Sequence, residues 1–124
     1  MIAKHLHLIL SAGIVFSVAI VYGFQPTLIF DVTISSIDEA NIFKAIMGLY
    51  LGFAALWIIG VFKAQFWTIA TLSNVVFMLG LAAGRIISIV CDGLPSMVFV
   101  LGTLGEIVLG VFGFYQLKRY ENRV

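Results

Sequence analysis

A chain of 124 residues in which 62% are hydrophobic and only 10% charged lies far outside the composition of an ordinary soluble domain and reads as a membrane protein. Seven basic residues against six acidic ones give a formal net charge of +1, with no concentrated basic face of the kind that phosphate backbones require, which argues against nucleic-acid binding. The single cysteine, Cys91, excludes an internal disulfide, and without clustered ligands it offers no structural zinc site.

Four apolar stretches follow along the chain, each near the roughly 20 residues that span a hydrocarbon core about 30 Å thick. The first covers residues 6–24. Lys4 ahead of it gives it the look of a signal peptide. Its apolar run nevertheless exceeds the roughly 7 to 15 residues of such a segment, and Tyr22 and Phe24 make a poor cleavage context, so it is read as a retained helix. His5 and His7, two apart, face different directions on a helix and make no metal site. Pro26 cannot continue helical hydrogen bonding and ends this element. In the connection 25–36, Leu28, Ile29, Phe30, Val32 and Ile34 alternate with polar residues only in part, which predicts an irregular or short extended segment on the outer interface.

Ser36 with Glu39 three residues later has the form of a capping box and starts a second helix over 37–62, whose Lys44, Gly48, Gly52 and Ala55 recur at spacings of about one turn. The third helix, 66–91, carries Gly80 and Gly84 and a polar line of Asn74, Arg85, Ser88 and Asp92. Asp92-Gly93 is a turn pair, and Pro95 suits the first position of a new helix. The fourth helix, 96–117, places Glu106 within a stripe of Gly102, Gly110 and Gly113. Small residues at this spacing let helix backbones approach closely in lipid, so Gly48, Gly52, Gly80, Gly84, Gly102 and Gly110 are expected to be packing positions.

The charges fix an orientation. With the amino terminus cytoplasmic, four crossings put Lys4, Lys63, Lys118, Arg119 and Arg123 on the inner side and Asp31, Asp38, Glu39 and Asp92 on the outer, the positive-inside asymmetry. Tyr22, Trp57, Trp67 and Tyr115 fall near the proposed helix ends, where amphipathic rings favour the headgroup layer. The fold class is thus an all-α, integral membrane four-helix bundle, one domain over residues 1–124, with both termini cytoplasmic.

Arg85 and Glu106 need a physical explanation, since a charge at a helix centre costs roughly 2.5 to 3.5 kcal/mol. A rise of about 1.5 Å per residue puts Arg85, seven residues before Asp92, about 10 Å from the outer end, and Glu106, ten residues after Ser96, about 15 Å from it. A guanidinium on its flexible stem spans that difference, so an ion pair is geometrically easy. Lys44 arrives at about 12 Å by the same rise, so three charges from three helices reach one layer. Arg85 and Lys44 have the alternative of snorkelling to the headgroups; Glu106 is too short for that and is either protonated or paired. A register-setting ion pair and a ligand- or proton-handling group both remain open for it.

The remaining polar residues carry less. Ser11, Ser17, Thr68, Thr71 and Ser73 suit bonds to their own helical carbonyls, and Cys91, near the outer face, reads as an inert buried thiol rather than an intermolecular bridge. No nucleotide loop, nucleophile with a base or paired catalytic carboxylates can be assembled, so neither catalysis nor a cofactor is expected.

Lys44 and Gly48, then Gly84-Arg85, Asp92-Gly93-Leu94-Pro95 and Glu106 together resemble the pattern of a domain-of-unknown-function family of small four-helix bacterial membrane proteins. The resemblance covers nearly the whole chain and implies a bacterial inner-membrane location and a four-helix bundle; it supplies no activity. An arginine is commoner in that family where this chain has Lys44, which weakens any role there for a planar bidentate donor. Three functional classes follow. The first is a non-enzymatic accessory or binding module whose polar cluster of Lys44, Asn74, Arg85, Ser88, Asp92 and Glu106 recognises a lipid-like or amphiphilic ligand or a membrane partner. The second is an oligomeric proton-coupled carrier using Glu106. The third is a structural subunit of a larger membrane complex. Membrane lipids, a second copy of the chain or a larger complex are the partners expected.

Overall fold

Helix α1, Ile2–Phe24, begins four residues before its apolar run and ends where Pro26 interrupts the bonding ladder. Pro26 then serves as the first residue of a single helical turn, α2, Pro26–Ile29, where its missing N–H is no loss. The connection expected to be irregular or extended is therefore helical in its first half and extended only from Phe30 onward. Helix α3 covers Ile37–Phe62, a short 3-10 turn occupies Ala64–Phe66, and α4, Trp67–Asp92, and α5, Met97–Glu121, complete the chain. The computed structural model describes residues 2–121; Arg123, grouped above with the inner basic residues, lies outside the described residues.

The cap of α3 differs slightly from the reciprocal box. Ser36 Oγ accepts from the Glu39 amide at 3.1 Å, but the Glu39 carboxylate reaches one residue further back, accepting from the Ser35 amide at 2.8 Å and the Ser35 hydroxyl at 2.9 Å. At the far end of α4, Gly93 adopts φ 102° and donates its amide to Ile89, a left-handed stop that favours glycine. Pro95 precedes the next helix rather than opening it. The Ser96 carbonyl accepts from Phe99 and Val100, so the first turn of α5 is built on Ser96.

The four long helices run up, down, up and down, with α1 on α3, α3 on α4, α4 on α5, and α5 returning to α1. All four are long and apolar enough to cross a membrane. Their outer faces carry Phe16, Phe62, Val76, Ile87 and Val108, all exposed, an exterior suited to lipid tails rather than water. The core is a line of small and large residues on the inner faces: Leu8, Ala12, Val15 and Ala19 of α1 against Tyr50, Ala54 and Trp57 of α3, with Ala70 and Met78 of α4.

Trp57 and Trp67, toward the ends of their helices, turn into the bundle: they are 0% and 2% exposed, and their indole nitrogens donate to Ser73 Oγ at 3.1 Å and to the Lys4 carbonyl at 3.3 Å. A bonded indole can be buried without leaving a donor unpaired. The glycine stripes are corrected by this packing. A side chain added at Gly48, Gly52, Gly80, Gly84 or Gly102 would meet nothing within 4 Å, whereas Gly110 sits tightly against Leu79 and Met78. Other close approaches fall at Gly23 against Met47, Gly60 against Ala70 and Gly113 against Asn74 and Val75. Spacing alone could not separate the two sets, because a glycine is needed only where two helix axes come nearest.

Candidate functional site

The tight turn at Gly93 sets the register of α4 against α5, and that register brings Arg85 and Glu106 together. Arg85 Nε donates to Glu106 Oε1 at 2.8 Å and to Oε2 at 3.2 Å. The side chains are 23% and 13% exposed, so this is a partly sheltered pair. One nitrogen grips both carboxylate oxygens. A side-on fork would use Nε and a terminal nitrogen, whereas this grip leaves the Nη groups to other acceptors, the Tyr22 and Tyr50 hydroxyls among them.

Tyr22 of α1 and Tyr50 of α3 supply the adjacent polar groups. Their rings meet edge to face at 5.7 Å, and both lie within interaction range of the Arg85 guanidinium. Phe30, tucked in from the connection after α2, stacks between Tyr22 at 4.8 Å and Phe99 at 5.0 Å. The guanidinium carbon of Arg85 stands 5.4 Å from the Phe99 ring centre, within the range where a ring face attracts a cation.

A cavity of about 370 Å³ opens beside this group between α1, α4 and α5. Its polar side chains are Tyr22, Tyr50, Arg85 and Glu106, and its remaining walls are apolar, including Ile14, Val18, Leu81 and Leu109. A groove of about 640 Å³ between α3 and α4 reaches Tyr22, Tyr50 and Arg85 from the other side and runs along Gly80 and Gly84. Those two glycines thus keep a groove open instead of closing a helix contact. The arrangement can hold a molecule with a hydrogen-bond-accepting head and an apolar body.

Of the other residues expected in the cluster, Ser88 lines the groove that reaches Arg85, while Lys44 and Asn74 stand apart from it. Lys44 is exposed, its ammonium 5.8 Å from the Phe24 ring, beside a separate cavity of about 310 Å³ that includes Thr27 and Thr33. Tyr50, Ala54 and Trp57 mark the inward stripe of α3, and Lys44, six residues before Tyr50, falls about 120° off that stripe at 3.6 residues per turn. Ser88 also donates to Asp92 at 3.0 Å in an exposed pair one turn apart. Asn74 is fully buried, but lies eleven residues from Arg85 along α4, about 16 Å by the helical rise.

Asn74 belongs instead to a polar group near the Trp67 end of the bundle that spacing did not reveal. His7 Nε2 and Thr71 Oγ1 are 2.9 Å apart, and His7, Ser11, Thr71 and Asn74 are each 0% exposed. Thr71 therefore bonds across helices. Ser17 and Ser73 do bond to their own helical carbonyls, at Gly13 and Ala70. The available signal for this group was His7, four residues before Ser11 on one helix, with Thr71 three before Asn74 on another. Tyr50, alone in the apolar middle of α3, was the corresponding signal for the Arg85 site. Among the described residues no three histidine, cysteine or acidic side chains are grouped to hold a metal.

The chain belongs to the family described as Domain of unknown function (DUF4345), which matches residues 3–117. No curated protein and no solved structure matches the chain.

Proposed function

We propose that this member of the family is a non-enzymatic membrane module that binds an amphiphilic, lipid-like molecule, its polar head at Arg85 and its apolar body along the α1–α4–α5 cavity. The observation that carries the reading is the pinned guanidinium: Glu106 engages Nε alone, at the edge of a cavity otherwise lined almost entirely by apolar side chains. Because Glu106 already compensates Arg85, the pair brings no net charge. A head offering carbonyl or hydroxyl acceptors suits it better than one carrying a full negative charge. The ring stack of Tyr22, Phe30 and Phe99 supplies a flat wall beside that head.

In this reading the protein spans the bacterial inner membrane with both termini cytoplasmic. Lys4, Lys63, Lys118 and Arg119 stand toward one end of the bundle, and Asp31, Asp38, Glu39 and Asp92 toward the other. Native mass spectrometry of protein extracted gently from membranes tests the proposal. A retained small molecule lost in Arg85→Ala is the expected result. No retained mass in the wild-type protein, or one unaffected by Arg85→Ala, would refute it.

A second reading, a subunit of a homo-oligomer or larger membrane complex, is favoured by one observation: Gly48 and Gly52 lie exposed with open space above them, a surface on which another helix can pack closely. Crosslinking in intact membranes separates this from a lone monomer.

A further inference from the structure

The buried polar group around His7 is unexplained by the Arg85 cavity. His7 Nδ1, Ser11 Oγ and both amide atoms of Asn74 are buried and have no hydrogen-bond partner within the protein. Leaving such atoms unpaired is costly, more so in surroundings without water. Their placement is concerted. Helices α1 and α4 run in the same direction, and the His7–Thr71 bond joins them at one level. Ser11 is one turn on from His7, and Asn74 nearly one turn on from Thr71, so the two stand at the next level together. Gly113 of α5 forms a third wall: a side-chain carbon there would stand 3.1 Å from Asn74 Oδ1 and 3.6 Å from the His7 ring.

The surroundings of this polar group are apolar. Trp67 and Phe112 meet the His7 ring in T-shaped contacts, each at 6.0 Å. On the opposite side, Val15 and Met78, one turn beyond Ser11 and Asn74, are buried and form part of the wall of the Arg85 cavity. The polar group and the cavity therefore stand in series along the bundle, separated by one apolar turn.

We infer that this polar group is a second binding site, distinct from the Arg85 cavity, and that its ligand is water held internally between α1, α4 and α5. The guest has to donate and accept at once, since Asn74 offers one atom of each kind and Ser11 and His7 accept either role. None of the four side chains carries a fixed charge, which disfavours an ion. With several orphaned donors and acceptors to satisfy and no fixed charge to hold an ion, the guest that fits is a water with two to four polar partners. This inference does not depend on what the Arg85 cavity binds.

Solid-state NMR of the full ¹⁵N-labelled chain in lipid bilayers, reading magnetisation transfer from water, provides the test. The Asn74 side-chain amide is expected to receive water magnetisation at least about threefold faster than the Trp57 indole nitrogen, which is equally buried but bonded to Ser73. An Asn74 build-up as slow as that of Trp57 would overturn the proposal, and this comparison needs only the wild-type protein. In Ser11→Ala the Asn74 transfer is expected to fall by about half or more; an unchanged rate would overturn the assignment of Ser11 and Asn74 to one shared water site.

Discussion

Removing either member of the Arg85–Glu106 pair should cost far more than removing both. For a fully exposed pair the loss is about 0 to 1 kcal/mol, and for a fully buried one stripped of a single partner roughly 3 to 5 kcal/mol. With side chains 23% and 13% exposed, the pair falls between these limits, so Arg85→Leu and Glu106→Leu should each destabilise by about 2 kcal/mol. The double replacement removes both charges and adds apolar surface beside Leu81 and Leu109, so it should lie within about 1 kcal/mol of the parent. The resulting departure from additivity is about 3 kcal/mol. Equilibrium unfolding in mixed micelles, followed by the fluorescence of the buried Trp57 and Trp67, measures all four proteins. Additive losses within about 0.5 kcal/mol would show that the charges do not depend on each other, and the polar head site would lose its basis.

Gly113→Ala should destabilise by about 1 kcal/mol or more in the same assay, because the new carbon stands 3.1 Å from both Asn74 Oδ1 and Val75 Cγ2, whereas Gly48→Ala, with open space around it, should cost nothing measurable. Gly93→Ala should cost roughly 1 to 3 kcal/mol, since φ 102° is strained for any residue with a side chain; a neutral result would mean that the α4–α5 turn relaxes freely. Phe30→Ala should lose about 3 kcal/mol and weaken ligand retention, because it removes the middle ring of the Tyr22–Phe99 stack. Cys91, exposed near the Gly93 turn instead of buried as its sequence position suggested, should in the proposed orientation react with a membrane-impermeant maleimide added from the periplasmic side of intact inner membranes. Labelling only after the membrane is opened would invert the orientation.

Much of the Arg85 site can be read from residue positions alone. The depth argument needed only a helical rise and a tight turn, and Asp92-Gly93 supplies that turn with the one left-handed glycine found among the described residues. Depth is one coordinate of two, however. Lys44 reaches the right level, yet its direction around α3 carries it to the surface beside Phe24. Tyr22, near a helix end, turns inward and is buried within the aromatic stack. The spacing of His7 from His5 gives no metal site and points to no other role, because its partner Thr71 is 64 positions away.

The order and length of the apolar runs were sufficient to determine four helices, their alternating directions, the cap at Ser36 and the stop at Gly93, because each of these depends on local bonding and on the thickness of a hydrocarbon layer. Only the tertiary structure decided which face of each helix turns inward. In α3 and α5 the apolar residues are spread almost evenly around the axis, so no polar side marks the exterior. Where lipid and protein interior are equally apolar, hydrophobicity cannot choose between them. The choice falls to shape: close approach at Gly60, Gly110 and Gly113, the ring stack on Phe30, and the facing of His7 toward Thr71.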